Sequence, residues 1–85
     1  MFINKTKDGR NNISGPQIAA RRKERGLSQR ALADQVQLLG LDIDKNAVQR
    51  IESGQRFVTD IELAAFAAYF QTTVDALLER ADDPA

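Results

Sequence analysis

The sequence contains no cysteine and no histidine. The first absence excludes a disulfide framework and thiolate metal sites. The second excludes Ser-His and Cys-His catalysis, and the two together exclude most zinc chemistry. There is no Gly-rich phosphate loop and no grouping of acids at metal-ligand spacing. No catalytic residue, metal ligand or cofactor is therefore expected. No apolar run approaches the roughly 20 residues needed to span a bilayer. No signal-peptide pattern opens the sequence, so the expected compartment is the cytoplasm, away from any membrane.

What remains is an 85-residue chain that is 42% hydrophobic and 28% charged, a composition of soluble globular domains. That length suits one small domain with a modest core. The net charge is zero, but the charges are segregated. Residues 1 to 30 carry Lys5, Lys7, Arg10, Arg21, Arg22, Lys23, Arg25 and Arg30 against two acids, Asp8 and Glu24. Residues 57 to 85 carry six acids and one arginine. A domain polarised in this way can meet a phosphate backbone while staying neutral overall.

The most informative stretch is residues 28 to 54. It reads as two short helices joined by a turn. Ser28 and Asp44 are placed to cap their first turns. Leu27 with Leu32, and Ile43 with Val48, have the spacing of hydrophobic staples. Gly40 and Gly54 sit where helices stop.

The second of these helices spans about 45 to 53. At about 100° per residue, Ala47, Val48 and Ile51 fall on one side. Lys45, Asn46, Gln49, Arg50 and Ser53 fall on the other, with Glu52 at the boundary. The outer face holds no acid and no aliphatic side chain. Cations match guanine edges and amides match adenine edges. A solvated helix face of no special function has the same look, so the wheel alone does not decide.

The rest of the chain predicts three more helices. Residues 1 to 12 lack periodicity and read as a flexible N-terminal arm, whose Lys5, Lys7 and Arg10 have the charge to reach a phosphate. Ser14 and Gln17 have capping-box spacing, and Pro16 suits a first turn. The first helix is expected to run to about Arg25 and stop at Gly26. The second, from Gln29, is expected to reach about Leu39, with Leu32, Val36 and Leu39 sharing a face. Thr59 and Glu62 fit a capping box for a fourth helix over about 60 to 70. That helix is apolar on nearly every side, so it is expected to be central and surrounded. Thr73 is the expected cap of a fifth helix reaching about Glu79. Residues 81 to 85 read as an acidic C-terminal tail.

GLSQ at 26 to 29, LADQV at 32 to 36 and VQRIESG at 48 to 54 resemble the Cro/C1-type (XRE-like) helix-turn-helix regulators of phages and bacteria. The resemblance runs from about Ile18 to Leu78. It implies an all-α, compact five-helix bundle of the lambda-repressor-like type over residues 13 to 80. It implies that Arg22 and Glu52 form an internal salt bridge. It implies that Lys45, Asn46, Gln49 and Arg50 read bases. Ser28, Gln29, Arg30, Ser53, Gln55 and Arg56 are the implied DNA-backbone contacts. The chain departs from the commonest pattern in its turn, which takes seven residues, Gln37 to Ile43.

The function implied is sequence-specific binding of double-stranded DNA, as a repressor that sits as a homodimer on an inverted repeat. The alternative is a protein-interaction module, an antitoxin or accessory subunit, whose apolar 57 to 70 region meets a protein partner.

Overall fold

A computed structural model describes residues 4–79. The chain folds into five helices: α1 (Gly15–Glu24), α2 (Gln29–Gln37), α3 (Lys45–Ser53), α4 (Asp60–Tyr69) and α5 (Val74–Leu77). There is no strand among the described residues. The all-α bundle is the expected fold class. The acidic tail at 81 to 85, and the question of whether Met1 to Ile3 pack on the domain, lie outside the described residues.

Four helices start on local side-chain chemistry. Ser28 Oγ accepts the Ala31 N–H at 3.0 Å, Asp44 Oδ1 that of Ala47 at 2.8 Å, and Thr73 Oγ1 that of Ala76 at 3.0 Å. Thr59 and Glu62 form a full capping box, each side chain accepting the other's backbone N–H. Each such cap satisfies a donor that the first turn leaves unpaired.

The start of α1 corrects the sequence reading. Ser14 has helical backbone and no side-chain cap bond. A capping residue has extended backbone, so the helical conformation of Ser14, which is 2% exposed, keeps its hydroxyl from the first-turn N–H groups. Asn12 takes that place, its Oδ1 accepting the Gly15 N–H at 2.8 Å. Gln17 reaches the far end of the chain instead, donating to the Glu79 carbonyl at 3.3 Å.

α2 ends at Gln37, two residues before the expected end. Leu38 and Leu39 lie in the following turn and are exposed, so Leu39 does not extend the buried face of Leu32 and Val36. Gly40, at φ 90°, reverses the chain in a conformation that costs other residues steric strain. The Gln37 amide donates to the Ile43 carbonyl at 2.9 Å and ties the end of α2 to the entry of α3. Leu41 packs against the core.

The core joins Ile18 of α1, Leu32, Ala33 and Val36 of α2, Ile43, Val48 and Ile51 of α3, Phe66, Ala67 and Phe70 of α4, and Leu77 of α5. Helix α3 packs against both α1 and α2, and α4 against α2 and α5. At the other end of α1, Arg25 lies over the rings of Tyr69 and Phe70, at 5.1 and 5.3 Å from their centroids. That cation–π contact links α1 to α4.

α4 is not surrounded, contrary to its composition. Phe66 and Ala67 are buried, whereas Ile61 is 74% exposed and Ala64 and Ala68 face outward. The reason is alanine. Three of the outward or half-covered positions, Ala64, Ala65 and Ala68, are methyl-sized and make good helix without needing cover. The fifth helix is one turn long, ending at Leu77 and not near Glu79.

Candidate nucleic-acid interface

The arrangement of α2 and α3 follows from their apolar stripes. Val48 and Ile51 turn α3's inner face into the core, at 0% exposure each. The same rotation sends Lys45, Asn46, Gln49, Arg50 and Ser53 outward, and all five are exposed. Among the described residues, the side chains of Lys45, Asn46, Gln49 and Arg50 make no hydrogen bond or ion pair. Ser53 differs: its hydroxyl donates to the Arg50 carbonyl at 3.2 Å.

Glu52, at the boundary of the two faces, fastens α3 to α1. Arg22 donates to it twice, Nε to Oε2 at 2.6 Å and Nη2 to Oε1 at 3.0 Å. The side chains are only 11% and 10% exposed. A parallel two-point pair of this kind fixes direction as well as distance. Arg22 Nη1 also donates to the Leu27 carbonyl at 2.7 Å. The Glu52 hydrogen bond raises the Arg22 pKa above its usual value, against the opposing pull of burial. Gln29 completes the group, its amide donating to Glu52 Oε1 at 3.0 Å. One glutamate thus receives both α1 and the first residue of α2.

A family model described as a helix-turn-helix domain matches residues 15–81. The chain belongs to the helix-turn-helix domain family. Comparison with curated proteins and with solved structures gave no match. Helix-turn-helix domains are DNA-binding domains in which the second helix of the motif enters the major groove. In this helix-turn-helix domain the motif is α2, the turn and α3. No helix among the described residues is long and apolar enough to cross a membrane.

The residues expected at the DNA backbone separate into groups. Ser28 and Arg30 are exposed at the N-terminal end of α2 and Gln29 is half-buried there. Gln55 is exposed just beyond α3. Arg56 stands apart, because its guanidinium is already held. Its Nη1 and Nη2 donate to the two Glu62 oxygens at 2.9 Å each, and Nη1 also meets the Phe57 carbonyl. The pairing pulls the Glu62 carboxyl below its ordinary pKa, chiefly through the Arg56 hydrogen bond. A phosphate at Arg56 would have to compete with that pair.

The expected arm also reads differently here. Residues 10 to 12 are bonded to the end of α3 and the loop after it, not loosely packed. Arg10 Nη2 donates to the Glu52 carbonyl at 2.8 Å and the Ile51 carbonyl at 3.3 Å. Asn12 Nδ2 donates to the carbonyls of Ile51 at 2.9 Å and Arg56 at 2.7 Å. Asn11 reaches the carbonyls of Gly54 and Gln55. Sequence reasoning named Arg10 only as a candidate for phosphate and missed Asn11 and Asn12, since their partners near the end of α3 lie about 40 positions away. The one local signal is Asn12 placed three residues before Gly15, the spacing of a helix cap.

Proposed function

We propose that the protein is a sequence-specific double-stranded DNA-binding regulator of the Cro/C1 (XRE-like) type, reading the major groove with α3. The observation that carries this reading is the outer face of α3. It is exposed, holds two cations and two amides without an acid, and leaves their side chains unused by the fold. Lys45, Asn46 and Gln49 read base edges, and Arg50 reads a base or holds a phosphate. Ser28, Gln29 and Arg30 meet phosphate at the start of α2, where unpaired N–H groups and the helix dipole favour an anion. Gln55 is a further backbone contact, and Arg56 joins it only by exchanging Glu62 for phosphate. Ser53 acts as an acceptor or a spacer, its proton being engaged at Arg50.

One helix reads only a few base pairs. Two copies about 34–36 Å apart on an inverted repeat supply useful specificity, so the bound form is a homodimer. Occupying a promoter represses without any further surface, and the reading is therefore of a cytoplasmic repressor. Selection of sites from a random DNA pool tests it, followed by anisotropy titration of the selected duplex at two salt concentrations. The expected result is an inverted repeat whose affinity falls steeply as salt rises.

A second reading rests on Phe57 and Ile61, which are 56% and 74% exposed around the entry to α4. Exposed apolar anchors suit a protein partner, as in an antitoxin or accessory subunit. Folded protein that enriches no DNA site favours this alternative.

A further inference from the structure

We infer that Arg10, Asn11 and Asn12 are positioning residues for DNA reading: they lock the C-terminal end of α3 to the start of α1 and so set which base edges the outer face of α3 meets. This rests on the reading of α3 as the groove-entering helix.

The last carbonyls of a helix have no partner within it. In α3 the Arg50 carbonyl takes the N–H groups of Gln55 and Arg56, whereas those of Ile51 and Glu52 are reached from residues 10 to 12. The Ile51 carbonyl receives Asn12 and Arg10, and the Glu52 carbonyl receives Arg10. Beyond the helix, the Gly54 carbonyl accepts the Asn11 backbone N–H at 2.8 Å. Asn11 Nδ2 donates to Gln55 at 3.0 Å, and Asn12 Nδ2 to Arg56 at 2.7 Å. Asn12 is 8% exposed, and it also caps α1 through Gly15. One amide therefore ties the first N–H of α1 to the Ile51 carbonyl near the end of α3 and to the Arg56 carbonyl beyond it.

The fit leaves no slack. A methyl group added at Gly15 would lie 2.3 Å from the Ile51 carbonyl oxygen. One added at Gly54 would lie 2.9 Å from the Arg10 side chain, at a residue whose φ of 86° already favours glycine. Arg10 places its charge at the negative end of the α3 dipole. Its Nη2 is aimed at the Ile51 and Glu52 carbonyls, while its Nε is buried without a hydrogen-bond partner among the described residues, an arrangement unlike that of an exposed phosphate-gripping arm.

Leverage explains why this matters for reading. The base-reading candidates begin at Lys45, at the opposite end of the nine-residue helix. At about 1.5 Å per residue the helix is roughly 13 Å long, so a tilt of about 10° at its held end moves the other by about 2 Å. Hydrogen bonds to base edges tolerate only a few tenths of an ångström around 2.9 Å, as a general geometry.

The test uses Arg10→Ala, Arg10→Lys, Asn11→Ala and Asn12→Ala in the whole chain, each checked for helical circular dichroism. Hydrogen exchange without DNA should show faster exchange at the C-terminal end of α3 while α4 is unchanged. Affinity for the selected duplex should fall about 10-fold in Arg10→Ala while affinity for random duplex changes less than about 2-fold, with the salt slope kept and Arg10→Lys in between. Parallel losses on both duplexes, with the salt slope reduced by about 1, would make Arg10 a phosphate contact and overturn the inference. So would an unchanged specificity ratio in folded variants. Should Asn12→Ala not fold, Arg10→Ala and Asn11→Ala carry the same comparison. A wild-type protein that selects no DNA sequence would overturn the underlying reading of α3. That outcome is distinguishable, because the exchange measurement involves no DNA.

Discussion

Glu52 accepts Arg22 and Gln29 on the same oxygen, Oε1, at 3.0 Å each, while its other oxygen takes Arg22 Nε at 2.6 Å. The acid is a residue of α3, and its carboxylate is the meeting point of α1, α2 and α3. Arg22→Ala leaves this largely buried carboxylate without its charged partner, with only the Gln29 amide donating to it. It should destabilise the domain by about 3 kcal/mol, the range found when one partner of a buried pair is removed. Thermal melting checks this, and Arg22→Lys should recover only part of the loss because an ammonium cannot make the two-point contact.

Gln49→Ala should leave the melting temperature nearly unchanged, since its side chain is exposed on α3. Affinity for the selected duplex should weaken by about 1–3 kcal/mol, with preference relaxed at one base position. Equal losses on selected and random duplexes would remove Gln49 from the reading set.

Arg30→Ala should act differently. Arg30 is exposed at the start of α2. Under the phosphate contact proposed for it, its loss should weaken selected and random duplexes together and lower the salt slope by about 1. Titration over a range of salt concentrations decides the case.

The Arg56–Glu62 pair gives a pH dependence with a definite sign. Arg56 holds the folded-state pKa of Glu62 below its ordinary value of 4.5. The carboxylate therefore stabilises the fold fully above that ordinary value. The contribution is lost as pH falls from there through the depressed folded value. Denaturant melts below pH 4.5 should show Glu62→Gln to be less acid-sensitive than wild type over that window.

Phe66→Ala should cost about 3–5 kcal/mol, because the ring is fully buried and stacks toward Phe70 at 6.5 Å. Ile61→Ala, on the open side of the same helix, should change stability little. Chemical denaturation of the two variants compares them directly.

Local chemistry was legible in the sequence and distant chemistry was not. Ser28, Asp44, Thr59 and Thr73 cap helices because their partners are three residues away. The apolar stripe of α3 is likewise local, and it fixes which side chains face outward. The partnership of Arg22 with Glu52, 30 residues apart, came from the family resemblance, with the boundary position of Glu52 on the wheel as its one local support. The Arg10–Asn12 contacts with the end of α3 had no periodic signal at all. Ser14 misled because a serine before Gly-Pro looks like a cap, whereas the buried Asn12 supplies the acceptor. The open side of α4 was hidden by alanines, which count as apolar but need little cover.

The division of labour within α3 has an evolutionary consequence. Its fastening lies in Val48, Ile51, Glu52 and its terminal carbonyls, while the side chains at 45, 46, 49 and 50 take no part in holding it. Those four positions can mutate without a toll on folding. On the proposed reading of α3, a lineage carrying this scaffold is free to drift from one DNA site to another by changes on a single exposed surface.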